Sequence, residues 1–479
     1  MKNHIMLITY PDSLGGNLFK LNQFLDTYYK DEIGSIHILP FYPSSGDRGF
    51  APITYTEVDP QFGTWDDIQS LAENHELMFD FMINHLSRRS PEFQSFIENH
   101  ENSPFADMFL RFSKFWPGGF PTQEQIDAIN KRKPCAPAET VEFCDGTKED
   151  IWCTFSPEQM DLNIKSEITW DYIERTLKWL TDHGASCIRL DAFAFSTKSP
   201  GTSCFFLEPE VWGILERVRN ILNEKNACLL PEIHDSYKLQ MNIAQHGYMV
   251  YDFVLPLMVL HTLYSKSSAR IQHWLTICPR SQQTTLDTHD GMGVVDVEGL
   301  LSEEEIQEII RKTEQNGCSF KWDYRGGTDR QKRVYQIDGT YYSALGENEQ
   351  AYLLARAIQF FTPGIPQIYY VGLLCGTNDY AKARKTGNPR DIGRHDYSEE
   401  EMKQAVMAKP AQRLKMLMKF RNSYPAFGGV MTLPACDDHH LAIRWDDGKY
   451  STELYADLNS YEFEIRYRNE GGIDTYLQI

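Results

Sequence analysis

Eight short segments of the chain are apolar almost without interruption: 5–10, 35–40, 77–83, 187–191, 229–233, 250–255, 284–288 and 365–371. Runs of this kind suit strands buried on both faces, as in a parallel sheet. Amphipathic helical patterns fill several of the gaps, at 64–75, 168–183, 210–224 and 349–360. Strand and helix alternating eight times predict an α/β fold, a (β/α)8 TIM barrel. Two gaps exceed one helix. Residues 86–186, rich in Pro, Gly and aromatics over 115–155, predict an inserted subdomain after strand 3, with a barrel helix near 168–183. Residues 289–348 predict a long loop region after strand 7 that shapes the acceptor site. The barrel is expected in 1–85 and 187–423. From 424 to 479 the pattern turns to short alternating strands, a small C-terminal β-domain.

Composition narrows the function. A net charge of −20 disfavours nucleic acid and anionic membranes as partners. A hydrophobic content of 42% and an aromatic content of 13% suit a large core and a ring-stacking sugar site. The ten cysteines lack CxxC spacing and read as reduced thiols. Neither a signal-peptide pattern nor a bilayer-spanning stretch is present in the sequence, so a cytoplasmic protein is expected.

Three acids carry the chemistry. Asp191 follows Cys187-Ile188-Arg189-Leu190, Glu232 follows Leu229-Leu230-Pro231, and Asp290 follows Thr288-His289. An acid at the carboxyl end of a parallel strand faces the barrel mouth. Glycoside chemistry needs one carboxylate as nucleophile and a second carboxyl group as proton donor. Arg189, two residues before Asp191, shares its strand face, and its fixed charge would keep a nucleophile ionised.

These residues resemble the α-amylase family of glycoside hydrolases. The marker regions are Asp80-Phe81-Met82-Ile83-Asn84-His85, Arg189-Leu190-Asp191-Ala192, Glu232-Ile233-His234 and Thr288-His289-Asp290. A narrower resemblance, to the sucrose phosphorylases, rests on Gly46-Asp47-Arg48-Gly49-Phe50-Ala51-Pro52, Glu158-Gln159-Met160-Asp161, Val334-Tyr335-Gln336 and Arg390-Asp391-Ile392-Gly393-Arg394-His395. The resemblance implies Asp191 as nucleophile, Glu232 as acid and base, and Asp290 as the carboxylate that grips glucose hydroxyls. It implies sugar contacts from Asp47, Phe50, His85, Phe155, Gln159, Arg189, His234, His289 and Arg394. It assigns phosphate or acceptor binding to Arg132 and Lys133, in the run Lys131-Arg132-Lys133, and to Lys332, Arg333, Tyr335 and Gln336.

Two positions depart from the pattern. Arg333 stands where sucrose phosphorylases typically carry an acid, within a loop also holding Lys321, Arg325, Arg330 and Lys332. Phe195 stands where they tend to carry tyrosine. The cationic loop points to an anionic leaving group, sucrose 6'-phosphate first and a glyceric-acid glucoside second. The expected reaction is retaining phosphorolysis giving α-glucose 1-phosphate, with hydrolysis or transglucosylation as the alternative. A non-catalytic member is disfavoured because all three acids are present. Some relatives bind calcium through the residue equivalent to Asn84, but no further oxygen cluster stands beside it, so neither metal nor cofactor is expected. The expected partners are a sugar and inorganic phosphate, and the assembly a monomer or homodimer.

Overall fold

The computed structural model describes residues 1–322, 333–468 and 472–479. Eight strands form one parallel sheet, nearly closed as a barrel: β1 Met6–Thr9, β2 Ser35–Ile38, β3 Glu76–Met82, β4 Ala185–Asp191, β5 Cys228–Pro231, β6 Val250–Asp252, β7 Gln282–Thr284 and β8 Ile365–Tyr369. Their order is β6-β7-β8-β1-β2-β3-β4-β5, each strand beside its neighbours in sequence. Apart from the first residues of β3 and β8 and both ends of β4 and β5, the strand residues are buried, which explains the unbroken apolar runs. The register pairs Met82 with Asp191 and Leu190 with Pro231, which aligns the strand ends that carry the acids.

Three strand ends differ from expectation. β7 is Gln282–Thr284, where the apolar run predicted 284–288. Its residues are polar, but the Gln282 amide is satisfied inside the fold, donating to Asp252 Oδ2 at 3.2 Å and to the Pro363 carbonyl at 3.0 Å. β6 stops at Asp252 because that carboxylate accepts from the Leu255 N–H (3.0 Å), opening the helix Leu255–Ser265 with Pro256 in its first turn. After β8, Tyr370–Leu373 turns helical instead of extending the strand to 371.

The helix Glu167–Asp182 packs Trp170, Ile173, Leu177 and Leu180 inward at spacings of three and four, and Glu210–Asn223 does so with Val211, Leu215, Val218 and Leu222. Between β3 and β4 lie two small antiparallel sheets, His85–Ser87 with Gln159–Asp161 and Ala138–Glu142 with Lys148–Trp152, and an aromatic core around Phe112, Trp116 and Trp152. After β7 comes a three-stranded sheet in which Val334–Asp338 lies between Met292–Gly293 and Ser319–Trp322. A separate five-stranded antiparallel sheet runs from Val430–Thr432 to Asp474–Tyr476.

By packing, the chain divides into two compact units. One comprises 1–37, 234–322 and 334–479; the other is built on 38–233. No helix among the described residues is long and apolar enough to cross a membrane.

Candidate active site

In the unit built on 38–233, the pairing of β3 with β4 sets Arg189 opposite Asp80. Arg189 is 2% exposed and Asp80 fully buried, so each needs the other's charge. The Arg189 Nη1 donates to Asp80 Oδ1 at 2.5 Å and to Asp191 Oδ1 at 2.8 Å. Its Nη2 lies 3.7 Å from Glu232 Oε1. One guanidinium therefore reaches both candidate catalytic carboxyl groups. Glu232, just past β5, is held from both sides: its N–H donates to the Leu190 carbonyl (3.1 Å), and its Oε2 accepts from the Ala192 N–H (3.4 Å). Ala192 sits in the left-handed region (φ 54°), which turns the chain away immediately after Asp191.

The neighbouring wall is aromatic. His85 Nε2 and Gln159 Nε2 each lie 2.9 Å from the Phe50 carbonyl oxygen, fixing a ring over which the Arg189 guanidinium sits at 5.8 Å. Phe155 packs edge-on against His85 (5.4 Å) and Phe195 (5.2 Å). Arg132 places its guanidinium 5.8 Å from the Phe195 ring, and with Lys133, Thr154, Phe195 and Lys198 it lines one small pocket. Lys131 is instead paired with Asp127 at 3.4 Å, and the Lys133 ammonium lies 3.5 Å from Cys153 Sγ. The side chain of Asp47 lies outside the described residues, as do Arg325, Arg330 and Lys332. Arg333 is exposed just before the strand Val334–Asp338.

Lys198 was not anticipated. Its buried ammonium donates to Asn84 Oδ1 (2.8 Å) and the Phe195 carbonyl, and pairs with Asp161 Oδ2 (2.9 Å). Thr154 adds a backbone N–H at 3.0 Å and a hydroxyl at 2.5 Å to the same Asp161 carboxylate. An ammonium thus fills the oxygen cluster beside Asn84. Nothing in the spacing from Asp191 to Lys198 reveals it, because its partners come from distant parts of the sequence.

The other unit holds Asp290, His289, His234, Arg394, Tyr335 and Gln336. Asp290 pairs with Arg390 Nη1 at 3.0 Å, and its Oδ2 lies 3.3 Å from His289 Nε2. Arg394, 2% exposed, donates through Nε (3.0 Å) and Nη2 (2.7 Å) to the His289 carbonyl, so it braces the turn that carries Asp290. His234 stacks on Phe253 (centroids 3.9 Å apart) and meets Asp296 Oδ2 at 3.3 Å. Only glycine fits at 293, where a Cβ would lie 1.9 Å from that Asp296 oxygen. Tyr335 and Gln336 are both buried, but adjacent strand residues face opposite sides. The Lys321 ammonium lies 5.8 Å from the Tyr335 ring.

The catalytic-domain model of the alpha-amylase family matches residues 16–284. The chain belongs to the α-amylase family. It is 48% identical to a sucrose phosphorylase of Streptococcus mutans, with 97% of each chain covered. It is 42% identical to a glucosylglycerol phosphorylase of Marinobacter adhaerens, covering 100% of this chain and 99% of that one. A crystal structure of sucrose 6F-phosphate phosphorylase from Thermoanaerobacter thermosaccharolyticum superposes with a TM-score of 0.97 at 41% identity, covering 100% of this chain and 98% of that one. Within the family the chain is an enzyme of the sucrose phosphorylase type.

Proposed function

We propose that this enzyme is a retaining α-glucoside phosphorylase that moves glucose to inorganic phosphate through a covalent ester on Asp191. Asp191 Oδ attacks the anomeric carbon as Glu232 gives its proton to the departing glycosidic oxygen. Glu232, now a carboxylate, takes a proton from phosphate, whose oxygen attacks the ester and leaves as α-glucose 1-phosphate. Two inversions give net retention. The observation that carries this reading is the single Arg189 guanidinium touching both Asp191 and Glu232. Carboxyl groups held that close serve direct attack by one of them on the sugar, whereas an inverting pair stands further apart to admit water. Asp290 accepts hydrogen bonds from glucose hydroxyls, with His85, His234 and His289 as further sugar contacts. Phe50 and Phe155 wall the ring, and Arg394 acts by bracing His289. Arg132 and Tyr335 bind the acceptor phosphate.

The donor we favour is sucrose 6'-phosphate. Five cations, Lys321, Arg325, Arg330, Lys332 and Arg333, fall within 13 residues of an acidic chain, where the leaving group would bring its own phosphate. Structural likeness to a sucrose 6F-phosphate phosphorylase supports the same choice. The test is glucose 1-phosphate release from sucrose 6'-phosphate, sucrose and glucosylglycerol, with and without inorganic phosphate. A kcat/KM at least tenfold higher on the phosphorylated sugar is expected. Equal or better use of sucrose removes the basic loop from donor recognition, and preference for glucosylglycerol replaces the donor. Appreciable product from the Asp191→Ala variant removes the nucleophile assignment.

A further inference from the structure

The strand Val334–Asp338 alternates apolar and polar residues, with Tyr335 and Ile337 on one face and Gln336 and Asp338 on the other. Asp338 is 3% exposed, and its Oδ1 has no hydrogen-bond partner among the described residues. A buried acceptor left unsatisfied costs about 1–3 kcal/mol, so its retention calls for a reason. Directly against that oxygen lies the turn carrying Asp290. A Cβ on Gly291 would stand 2.8 Å from Asp338 Oδ1 and 2.7 Å from the Ile337 carbonyl, and Gly291 adopts φ +89°. Only glycine lets the turn rest on this carboxyl group.

The charges around it are few. Arg390 exerts the strongest pull on Asp338, followed by Lys321 and Arg394, and Asp290 opposes ionisation. Arg390 is also the partner of Asp290, at 3.0 Å. Of the neighbours, Arg394 is engaged with the His289 carbonyl and Asp391, and His289 Nε2 faces Asp290. The buried Cys318 thiol, itself pushed up to about 12 by burial, stays neutral at any working pH.

Resting on the assignment of Asp290 to sugar binding, we propose that Asp338 is a positioning residue that divides Arg390 with Asp290 and so governs how much of the Asp290 carboxylate is open to a sugar. Burial first, with Asp290 adding to it, pushes the Asp338 carboxyl up to about 6 against the pull of the three cations. Below that pH Asp338 is neutral and Arg390 answers to Asp290 alone, holding the oxygen a glucose hydroxyl needs. Above it Arg390 faces two carboxylates, its grip on Asp290 weakens, and the sugar competes better. No proton is exchanged with substrate.

The test is the pH dependence of phosphorolysis from pH 5 to 8 in the wild type and in Asp338→Asn, each with the same donor so that substrate titration is common to both. In the wild type KM for the donor falls across pH 6 while kcat is nearly level. Asp338→Asn lacks that step and at pH 7.5 keeps a KM about fivefold to tenfold above the wild type, the size of a carboxylate–cation coupling near one pKa unit. A variant that retains the wild-type step, or that loses kcat in proportion without changing KM, overturns the proposal. An inactive wild type overturns the functional reading instead, a distinguishable result. Unfolding midpoints at pH 5 provide the fold control: the two proteins should match there, because Asp338 is then protonated, and a variant that has lost its fold at pH 5 overturns the positioning role.

Discussion

Replacing Arg189 by Met should destabilise the protein by about 3–5 kcal/mol, and most of that loss should be charge rather than packing. The side chains have similar reach, so Met refills the space while removing the positive charge. What remains is Asp80, fully buried, and Asp191 at the strand end, previously held at 2.5 and 2.8 Å from one nitrogen. At an effective dielectric near 20, a unit pair at 4 Å is worth about 4 kcal/mol, so losing the cation from two carboxylates amply covers the expected deficit. The argument has a sharper consequence. Adding Asp80→Asn to Arg189→Met removes the most deeply buried uncompensated charge and should recover half or more of the lost stability. Asp80→Asn alone should cost less than Arg189→Met, because Arg189 keeps Asp191. Chemical denaturation of the four proteins at pH 7 closes the double-mutant cycle. Activity should stay low in both Arg189→Met backgrounds, since neither restores the cation beside the nucleophile. If the double variant is no more stable than Arg189→Met, or if Arg189→Met unfolds within about 1 kcal/mol of wild type, the charge-compensation argument is wrong.

Lys198→Ala should cost about 3–5 kcal/mol by leaving the buried Asp161 carboxylate without its ammonium. Millimolar calcium should then raise the variant's melting temperature through the Asn84, Asp161 and Phe195 oxygens and leave the wild type unmoved; no calcium effect on the variant would show that those oxygens cannot accept a cation. His100, bonded first by Glu149 at 2.7 Å and also by Asp145 at 3.0 Å, has its pKa raised by those carboxylates, while Arg111 pairs with Glu149 and Glu101. A raised folded value means the stabilisation is whole below the unfolded pKa near 6.5 and is lost as pH rises through the folded value. Hydrogen exchange of the hairpin 138–152 should therefore speed up toward alkaline pH in the wild type beyond the intrinsic rate, and His100→Gln should remove that excess.

The acids at the ends of β4 and β5 were legible because each closes an apolar run that no other element could bury. The acid beyond β7 was legible from its motif while the strand itself was misplaced: Gln282, Gln283 and Thr284 read as surface but are buried. Hydropathy cannot see a strand whose polar side chains are satisfied internally. Lys198 was hidden for the opposite reason, since a lysine after Phe193-Ala194-Phe195 gives no sign that Asp161 and Asn84 will surround it. The strand 334–338 displayed its alternation openly, yet attention went to Tyr335 and Gln336. The acid at 338 gains meaning only from Gly291 and Arg390, which folding brings to it.

The basic run 131–133 illustrates how structure ranks residues that sequence treats as equals. Lys131 lies 3.4 Å from Asp127, one helical turn earlier in sequence, and Lys133 directs its ammonium at Cys153. Arg132 turns its guanidinium to the ring of Phe195, which packs on Phe155, which packs on His85. A planar fork of donors at the head of that aromatic chain suits a phosphate better than a point charge on a flexible stem. Charge-assisted hydrogen bonds contribute about 1.5–3 kcal/mol each, which for Arg132→Ala predicts a KM for phosphate raised tenfold or more. Hydrolysis of the same donor, where water is the acceptor, should keep most of its rate, because Asp191 and Glu232 are untouched. Lys131→Ala should change neither. Steady-state kinetics with phosphate as the varied substrate, and glucose release without it, separate the cases. Equal effects of the two substitutions would reduce the run to general electrostatic attraction, and a matching loss of hydrolysis would mean that Arg132 shapes the glucosyl site rather than the acceptor.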